Sequence, residues 1–494
     1  MKKDLIINFF ITIGISLTLF LVNKYFALYL GAENLGLMKL FTQMLAYLNL
    51  AEIGLTSASA YALYGPLARK DYKQISIILT TINSLYNKIL LFILVVGLGL
   101  NPIIPFFIKN KVINKFVYVY WSFYVISTSL SYVFIKYSVL FTADQKYGFV
   151  RLIEGGSRIC CQVIQIFVIV KYKSFFWFIL LLIFNNIVQY VIYKIYYKKH
   201  YKYIKKTQEK EKSITTSLKN LFWHRLAGLV VFNTDLILIS KFISLEMVGI
   251  YASYLMVIQM ISTILNILLN VLKPKIGNFI VEHDKDEIFD YFRNLNVIFL
   301  GVAIIFTLCT YELIDDFIVL WLGVKFVLPK ITVTLIMINL FILIFRAIID
   351  IFKETGGFFD DIYLPISEAT INFIISIVLV HYIGLNGVII GTIFSNILII
   401  CIAKPILVFK KIFNRDIKIY IEIYANYLKS IIFSLISIET IMRMINLNSS
   451  KVWLEWILKG SIVLCICVII TIIIFLYNSE FKHCIKNIKK ELKP

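Results

Sequence analysis

Charge is scarce in this 494-residue chain: 16% of its residues are Asp, Glu, Lys or Arg, against 60% hydrophobic. A soluble domain carries about a quarter charged residues, so the composition excludes an ordinary water-soluble fold and indicates an integral membrane protein. Catalytic signals are missing too. No Gly-rich nucleotide loop, metal-ligand cluster or catalytic triad occurs, so neither an enzyme nor a cofactor is expected. A membrane glycosyltransferase or glycan polymerase needs a sizeable aqueous domain or long outside loop. Here the largest polar stretch is only 198–220. The seven cysteines (Cys160, Cys161, Cys309, Cys401, Cys465, Cys467, Cys484) lack metal-ligand spacing and an extracellular disulfide framework, and read as small apolar packing residues. The first apolar segment follows Lys2 and Lys3 without a small-residue cleavage site, which predicts a retained span.

What is present is a series of long apolar runs. A hydrocarbon core of about 30 Å needs about 20 helical residues. That ruler predicts an all-α polytopic protein of about fourteen spans, near 5–30, 37–64, 78–100, 116–141, 148–170, 174–197, 221–242, 248–272, 294–314, 330–352, 362–383, 387–409, 419–443 and 453–477. The net charge of +21 sits mainly between spans and in the tail. The positive-inside rule explains that placement without a nucleic-acid partner. It also puts both termini and the basic stretch 198–220 in the cytoplasm. These runs either fix topology alone or also attract anionic membrane lipids.

Residues 25–71 show what the bundle handles. An apolar segment ends at Gly31, the polar hinge GAENLG follows, and a second span carries Gln43, Asn49 and Glu52 before the small-residue run Ser57–Ala60. A carboxylate inside a membrane helix is unfavourable by about 2.5–3.5 kcal/mol even on insertion scales, so it marks a cavity or a partner. Small residues allow a neighbouring backbone to approach.

Sliding the first half along by about 213 residues superposes several features. Glu33 and Gly36 meet Glu246 and Gly249, Asp71 meets Asp284, Asn83 meets Asn296, and Glu154 falls one residue from Glu368. Six spans precede the central loop in one copy and six follow it in the other. This predicts a parallel repeat whose pseudo-axis runs along the membrane normal, as in some alternating-access transporters. The expected organisation is a six-helix lobe at 1–197, a basic linker at 198–220, a second six-helix lobe at 221–410, and two extra helices with a basic tail at 411–494.

The patterns LYLGAENLGLMKLFTQMLAYLNLAEIGL and NTDLILISKFISLEMVGIYASYLMVIQ, with the later KETGGFFDD and NFIISIVLVHYIGLNGVIIGTIFSNI, resemble the polysaccharide-biosynthesis (O-antigen) flippases. That family belongs to the multidrug/oligosaccharidyl-lipid/polysaccharide exporter superfamily. The resemblance implies two six-helix lobes around a central cavity. It also implies transfer of undecaprenyl-pyrophosphate-linked oligosaccharides across the bacterial inner membrane, with polysaccharide-polymerase machinery as a partner. By position it singles out Asp235 and the hinge pairs Glu33/Gly36 and Glu246/Gly249. A multidrug or cation exporter of the same superfamily is the alternative.

Intramembrane charge supplies the site candidates. Arg158 lies four residues after Glu154, and Asp350 four after Arg346, so each pair shares a helix face. Each is either a self-neutralising packing pair or part of a substrate or ion site. Gly155-Gly156 suggests a close helix neighbour beside Glu154. A pyrophosphate cargo favours arginine, whose planar fork binds phosphate oxygens bidentately. Arg158 and Arg346 are therefore the first substrate candidates, with Lys24 and Arg225 near span ends behind them. Glu52, Glu154, Asp235, Asp350 and Glu368 are candidates for coupling a proton or sodium ion. Moving two negative charges outward across an inside-negative membrane releases about 4–5 kcal/mol per 100 mV, enough to drive export without ATP.

Overall fold

The computed structural model describes residues 2–52, 55–109, 114–205, 207–209, 234–357, 363–445 and 452–491. Among these residues the fold is all-α with no strand. In lipid every backbone N–H and C=O must be satisfied within the segment, and a helix does so. Twelve of the described helices are long and apolar enough to cross a bilayer. One of them, α1 (Lys2–Leu48), holds the first two expected spans in a single broken run. Only the end of the expected span 221–242 lies within the described residues. The chain is a multi-pass membrane protein, divided into two compact units, Met1–Gly249 and Ile250–Pro494.

The first unit contains α1, α2 (Leu55–Arg69), α3 (Tyr72–Gly99), α4 (Phe116–Ser131), α5 (Ile135–Ala143), α6 (Tyr147–Tyr172), α7 (Phe175–His200) and α8 (Asp235–Phe242). It also takes in the start of α9 (Leu245–Glu282). The hinge expected over six residues contracts to one: Gly31 sits at φ 83° and ψ 165°, a region closed to residues with a Cβ, while 32–48 stay helical. The second expected span is also interrupted. After Leu48 the chain tightens into a 3₁₀ turn, Asn49–Glu52, before α2 begins.

Helix α1 lies against α6, and Gly155 is the reason they can touch: a Cβ there would sit 2.0 Å from Ile11. Polar rungs lock the register, with Arg151 Nε donating to Asn8 Oδ1 (2.7 Å) and Thr18 Oγ1 to Gln162 Oε1 (2.5 Å). Just after α7, within the basic stretch, Tyr201 is buried. Its hydroxyl donates to Asp144 Oδ2 (2.6 Å) and accepts from Lys146 Nζ (2.9 Å). Burial, and then the Asp144 carboxylate, push the Tyr201 phenol well above its ordinary range.

The second unit holds the rest of α9 and α10 (Lys285–Leu322), α11 (Lys330–Phe345), α12 (Ala347–Thr355) and α13 (Tyr363–Ile383). They are followed by α14 (Leu385–Phe413), α15 (Ile417–Ile445), α16 (Trp453–Tyr477) and α17 (Ser479–Glu491). Helix α14 is not uniform: residues 396–403 and 409–413 are wound in wide π-type turns. The terminal α17 is held in place by Glu480, which accepts two hydrogen bonds from the Arg293 guanidinium (2.7 and 2.9 Å).

The offset of 213 recurs in the backbone itself. Asp71 caps α3 by accepting from Gln74 N (3.0 Å), and Asp284 caps α10 by accepting from Asp286 N and Glu287 N (3.0 and 2.9 Å). The break at Gly31 corresponds to the turn at Ser244 between α8 and α9. The break between α4 and α5 at Tyr132–Phe134 corresponds to that between α11 and α12 at Arg346. Within the first unit, Gly36 and Gly249 meet each other. A Cβ on Gly36 would fall 1.7 Å from the Leu245 carbonyl oxygen, and one on Gly249 would fall 2.2 Å from that of Ala32.

Candidate functional site

A cavity of about 630 Å³ opens inside the first unit, between α1, α4, α6 and α7. Its lining is unusually polar for a membrane bundle. Asn23, Asn49, Gln162, Gln165, Asn185, Asn186 and Gln189 contribute amides, Thr42, Ser127, Thr128 and Ser131 hydroxyls, and Lys39, Glu154 and Arg158 charge. Several of these groups are oriented by the helices around them. Asn186 Nδ2 donates to the Ser127 carbonyl (2.7 Å), Gln189 Nε2 to Ser157 Oγ (2.8 Å), and Gln165 Nε2 to the Phe178 carbonyl (3.2 Å).

Glu154 and Arg158, which share a helix face, do not form an ion pair among the described residues. Glu154 Oε1 instead accepts from Ser138 Oγ (2.8 Å) on α5 and from the Tyr193 hydroxyl (3.0 Å) on α7. Arg158 is accessible in the cavity and forms no ion pair among the described residues. Hydroxyls compensate the acid, and the arginine is left facing the void. Lys39 from α1 adds a second basic side chain to the lining, which holds one carboxylate. Lys39 had no sequence signal beyond a lone base in LMKLF. Lys24, next to the cavity residue Asn23, is half-buried and outside the cavity lining.

A second cluster lies at the Glu52 break. Thr56 Oγ1 donates to Glu52 Oε1 (2.8 Å) and lies 2.9 Å from the Tyr86 hydroxyl. The Tyr132 hydroxyl donates to Asn49 Oδ1 (3.1 Å). Interrupted membrane helices gather polar groups this way, because the freed backbone and side chains need partners away from lipid. Asp235 lies in the first turn of α8, where the helix dipole favours a carboxylate, within electrostatic reach of Tyr47. Arg225 lies outside the described residues.

The second unit builds its own charged cluster. Arg346, at the break between α11 and α12, donates through Nε to Asp350 Oδ2 (2.9 Å), so this i,i+4 pair closes. Lys404, from the α-helical turn of α14 between its two π-type stretches, donates to the other oxygen, Oδ1 (2.5 Å). Glu368 Oε1 on α13 lies 4.0 Å from Arg346 Nη1. Two bases and two acids make a buried, self-neutralised quartet. Lys404, the one member the sequence reading overlooked, stands in the run CIAKPILV, flanked by apolar residues and Pro405.

Neither a family model nor a curated protein sequence matches the chain. Solved structures do. The chain superposes on "Lipid II flippase MurJ, inward closed conformation" with a TM-score of 0.66 at 15% identity, over 95% of this chain and 98% of that one. It superposes on an inward-facing multidrug resistance MATE family transporter of the MOP superfamily with a TM-score of 0.61 at 11% identity, over 78% and 93%. A MATE structure in the bent conformation follows at 0.52 and 11%, over 82% and 94%. At such identities the likeness shows the fold alone, one shared with these transporters, and leaves the cargo to be argued from the site.

Proposed function

We propose that this protein is an alternating-access flippase that carries undecaprenyl-pyrophosphate-linked oligosaccharide from the inner to the outer leaflet of the bacterial inner membrane, for a surface polysaccharide. The observation that carries the reading is Arg158, a guanidinium with no ion pair among the described residues, in a polar cavity whose carboxylate is held by Ser138 and Tyr193. Arg158 and Lys39 take the pyrophosphate, because an arginine fork and a nearby ammonium match its oxygens and charge. The ring of amides and hydroxyls suits sugar hydroxyls. Lys24 and Arg225 are secondary contacts, and Arg346 belongs to the cluster of the second unit.

In this reading the two repeats form two lobes, the last two membrane helices and the tail lie outside them, and both termini face the cytoplasm. The Arg346–Asp350–Lys404–Glu368 quartet, like Glu52, is a coupling element for a proton or sodium ion. The substrate's other contacts are bilayer lipids and the polysaccharide-polymerase machinery that receives the glycan. A multidrug exporter of cationic compounds calls for a cavity with excess carboxylate, opposite to the charge found here.

The test is a strain lacking the gene, complemented with wild type or Arg158→Glu. Wild type should restore surface glycan, and Arg158→Glu should leave lipid-linked glycan on the cytoplasmic side. Normal glycan in the deletion strain, or unchanged glycan with altered dye efflux in the variant, rejects the flippase reading.

A further inference from the structure

A second void of about 460 Å³ lies on the opposite side of the α6–α7 pair and is apolar, with Leu152, Ile164, Leu181, Phe184, Val188 and Ile192 in its lining. Several of these side chains are outward-facing, Phe184 being 57% exposed. Two residues, Cys161 and Asn185, belong to the linings of both this groove and the polar cavity. The two voids adjoin at these residues.

Three rungs tie α6 to α7 along this junction. Gln189 to Ser157 (2.8 Å) and Gln165 to the Phe178 carbonyl (3.2 Å) are amide hydrogen bonds, while the rung between them is a thiol contact, Cys161 Sγ to the Leu181 carbonyl (3.4 Å). A thiol is a weak donor, so the weakest rung stands where groove and cavity meet. Asn185, beside it near the middle of α7, makes no hydrogen bond to a described residue, although its neighbour Asn186 does. An amide left unpaired at that depth is unfavourable unless a ligand or water meets it.

We propose that the α6–α7 groove seats the polyisoprenyl tail of the substrate, and that its pyrophosphate head reaches the cavity past Cys161 and Asn185. The proposal rests on the flippase reading above. An apolar tail gains nothing by following its head into a polar cavity, so it needs an apolar seat contiguous with the head-group site. The groove supplies the seat, Asn185 offers donors to phosphate oxygens at the junction, and Arg158, three residues before Cys161 on the same helix, supplies charge beyond it.

The test uses the full-length protein in nanodiscs and two probes, undecaprenyl pyrophosphate and the short-chain geranyl pyrophosphate, with binding read by native mass spectrometry. Filling the groove with Ile164→Trp or Val188→Trp should weaken the long-chain probe at least about tenfold and leave the short one within about twofold. Arg158→Gln should weaken both. If the tryptophan variants bind the long-chain probe like wild type while Arg158→Gln weakens both, the tail seat is wrong and the cavity reading stands. If Arg158→Gln changes neither, the cavity reading fails and the seat with it. A second measurement leaves the groove open: Phe184→p-benzoylphenylalanine should cross-link undecaprenyl pyrophosphate in competition with unlabelled probe, and the same replacement at the exposed Phe373 should not. Equal cross-linking at both sites, or capture of bulk phospholipid that the probe does not displace, overturns the proposal.

Discussion

Adding one methyl group at Gly36 should damage this protein more than most larger changes elsewhere. The Cβ of Gly36→Ala would stand 1.7 Å from the Leu245 carbonyl oxygen, where ordinary contact begins at 3.4 Å, so the helices must part by 3.4 − 1.7 = 1.7 Å. The obstacle is backbone at the start of α9, which no rotamer change can move aside. At Gly249 the corresponding shift is 3.4 − 2.2 = 1.2 Å, against the Ala32 carbonyl. Overpacking of this kind destabilises by about 1–3 kcal/mol. Gly36→Ala should lie near ~3 kcal/mol and Gly249→Ala near ~2 kcal/mol on that scale. Both alanines push apart the same pair of helices, so the double variant should lose clearly less than the sum. Gly156→Ala is the control: nothing lies within 4 Å of its Cβ, and it should be neutral or slightly stabilising. Thermal and graded-denaturant unfolding of the purified protein in one detergent reads all four. A Gly36→Ala protein as stable as wild type, or a strictly additive double variant, would refute the close reciprocal contact.

Lys404→Met should be strongly destabilising, by about 3–5 kcal/mol, because it strips Asp350 of one of its two bases and leaves the buried quartet with an uncompensated charge. Lys404→Met combined with Asp350→Asn should recover part of that loss, and failure to recover any would show that the quartet is not the cause. Tyr201→Phe removes a donor to Asp144 and an acceptor for Lys146 with no change of volume. A loss of about 1–2 kcal/mol and faster proteolysis after residue 200 are expected, and unchanged cleavage would count against that anchoring role.

Much of the fold was legible because lipid imposes a strict rule. Apolar runs of membrane length had to be helices, the offset of 213 exposed the repeat, and Asp71 and Asp284 lie where a capping carboxylate belongs. The breaks were less visible. Gly31 announced itself, but the interruptions at Tyr132–Phe134 and Arg346 contain neither glycine nor proline, so no local signal marks them. The site divided the same way. Arg158, Glu154, Arg346 and Asp350 stood out as charges in apolar runs, and helical spacing placed each pair on one face.

Spacing alone could not decide which pair closes. At Arg346 the partner carboxylate has no competing donor except another base, so the pair forms and recruits Lys404. At Glu154, Ser138 and Tyr193 lie 16 and 39 residues away in sequence and bond Oε1, while Arg158 forms no ion pair among the described residues. Composition and periodicity determined that this chain is a duplicated helical bundle in a membrane. Tertiary packing decided where the Arg158 charge stands, because Ser138 and Tyr193 come from distant parts of the chain to hold Glu154 Oε1 while Arg158 lines the cavity.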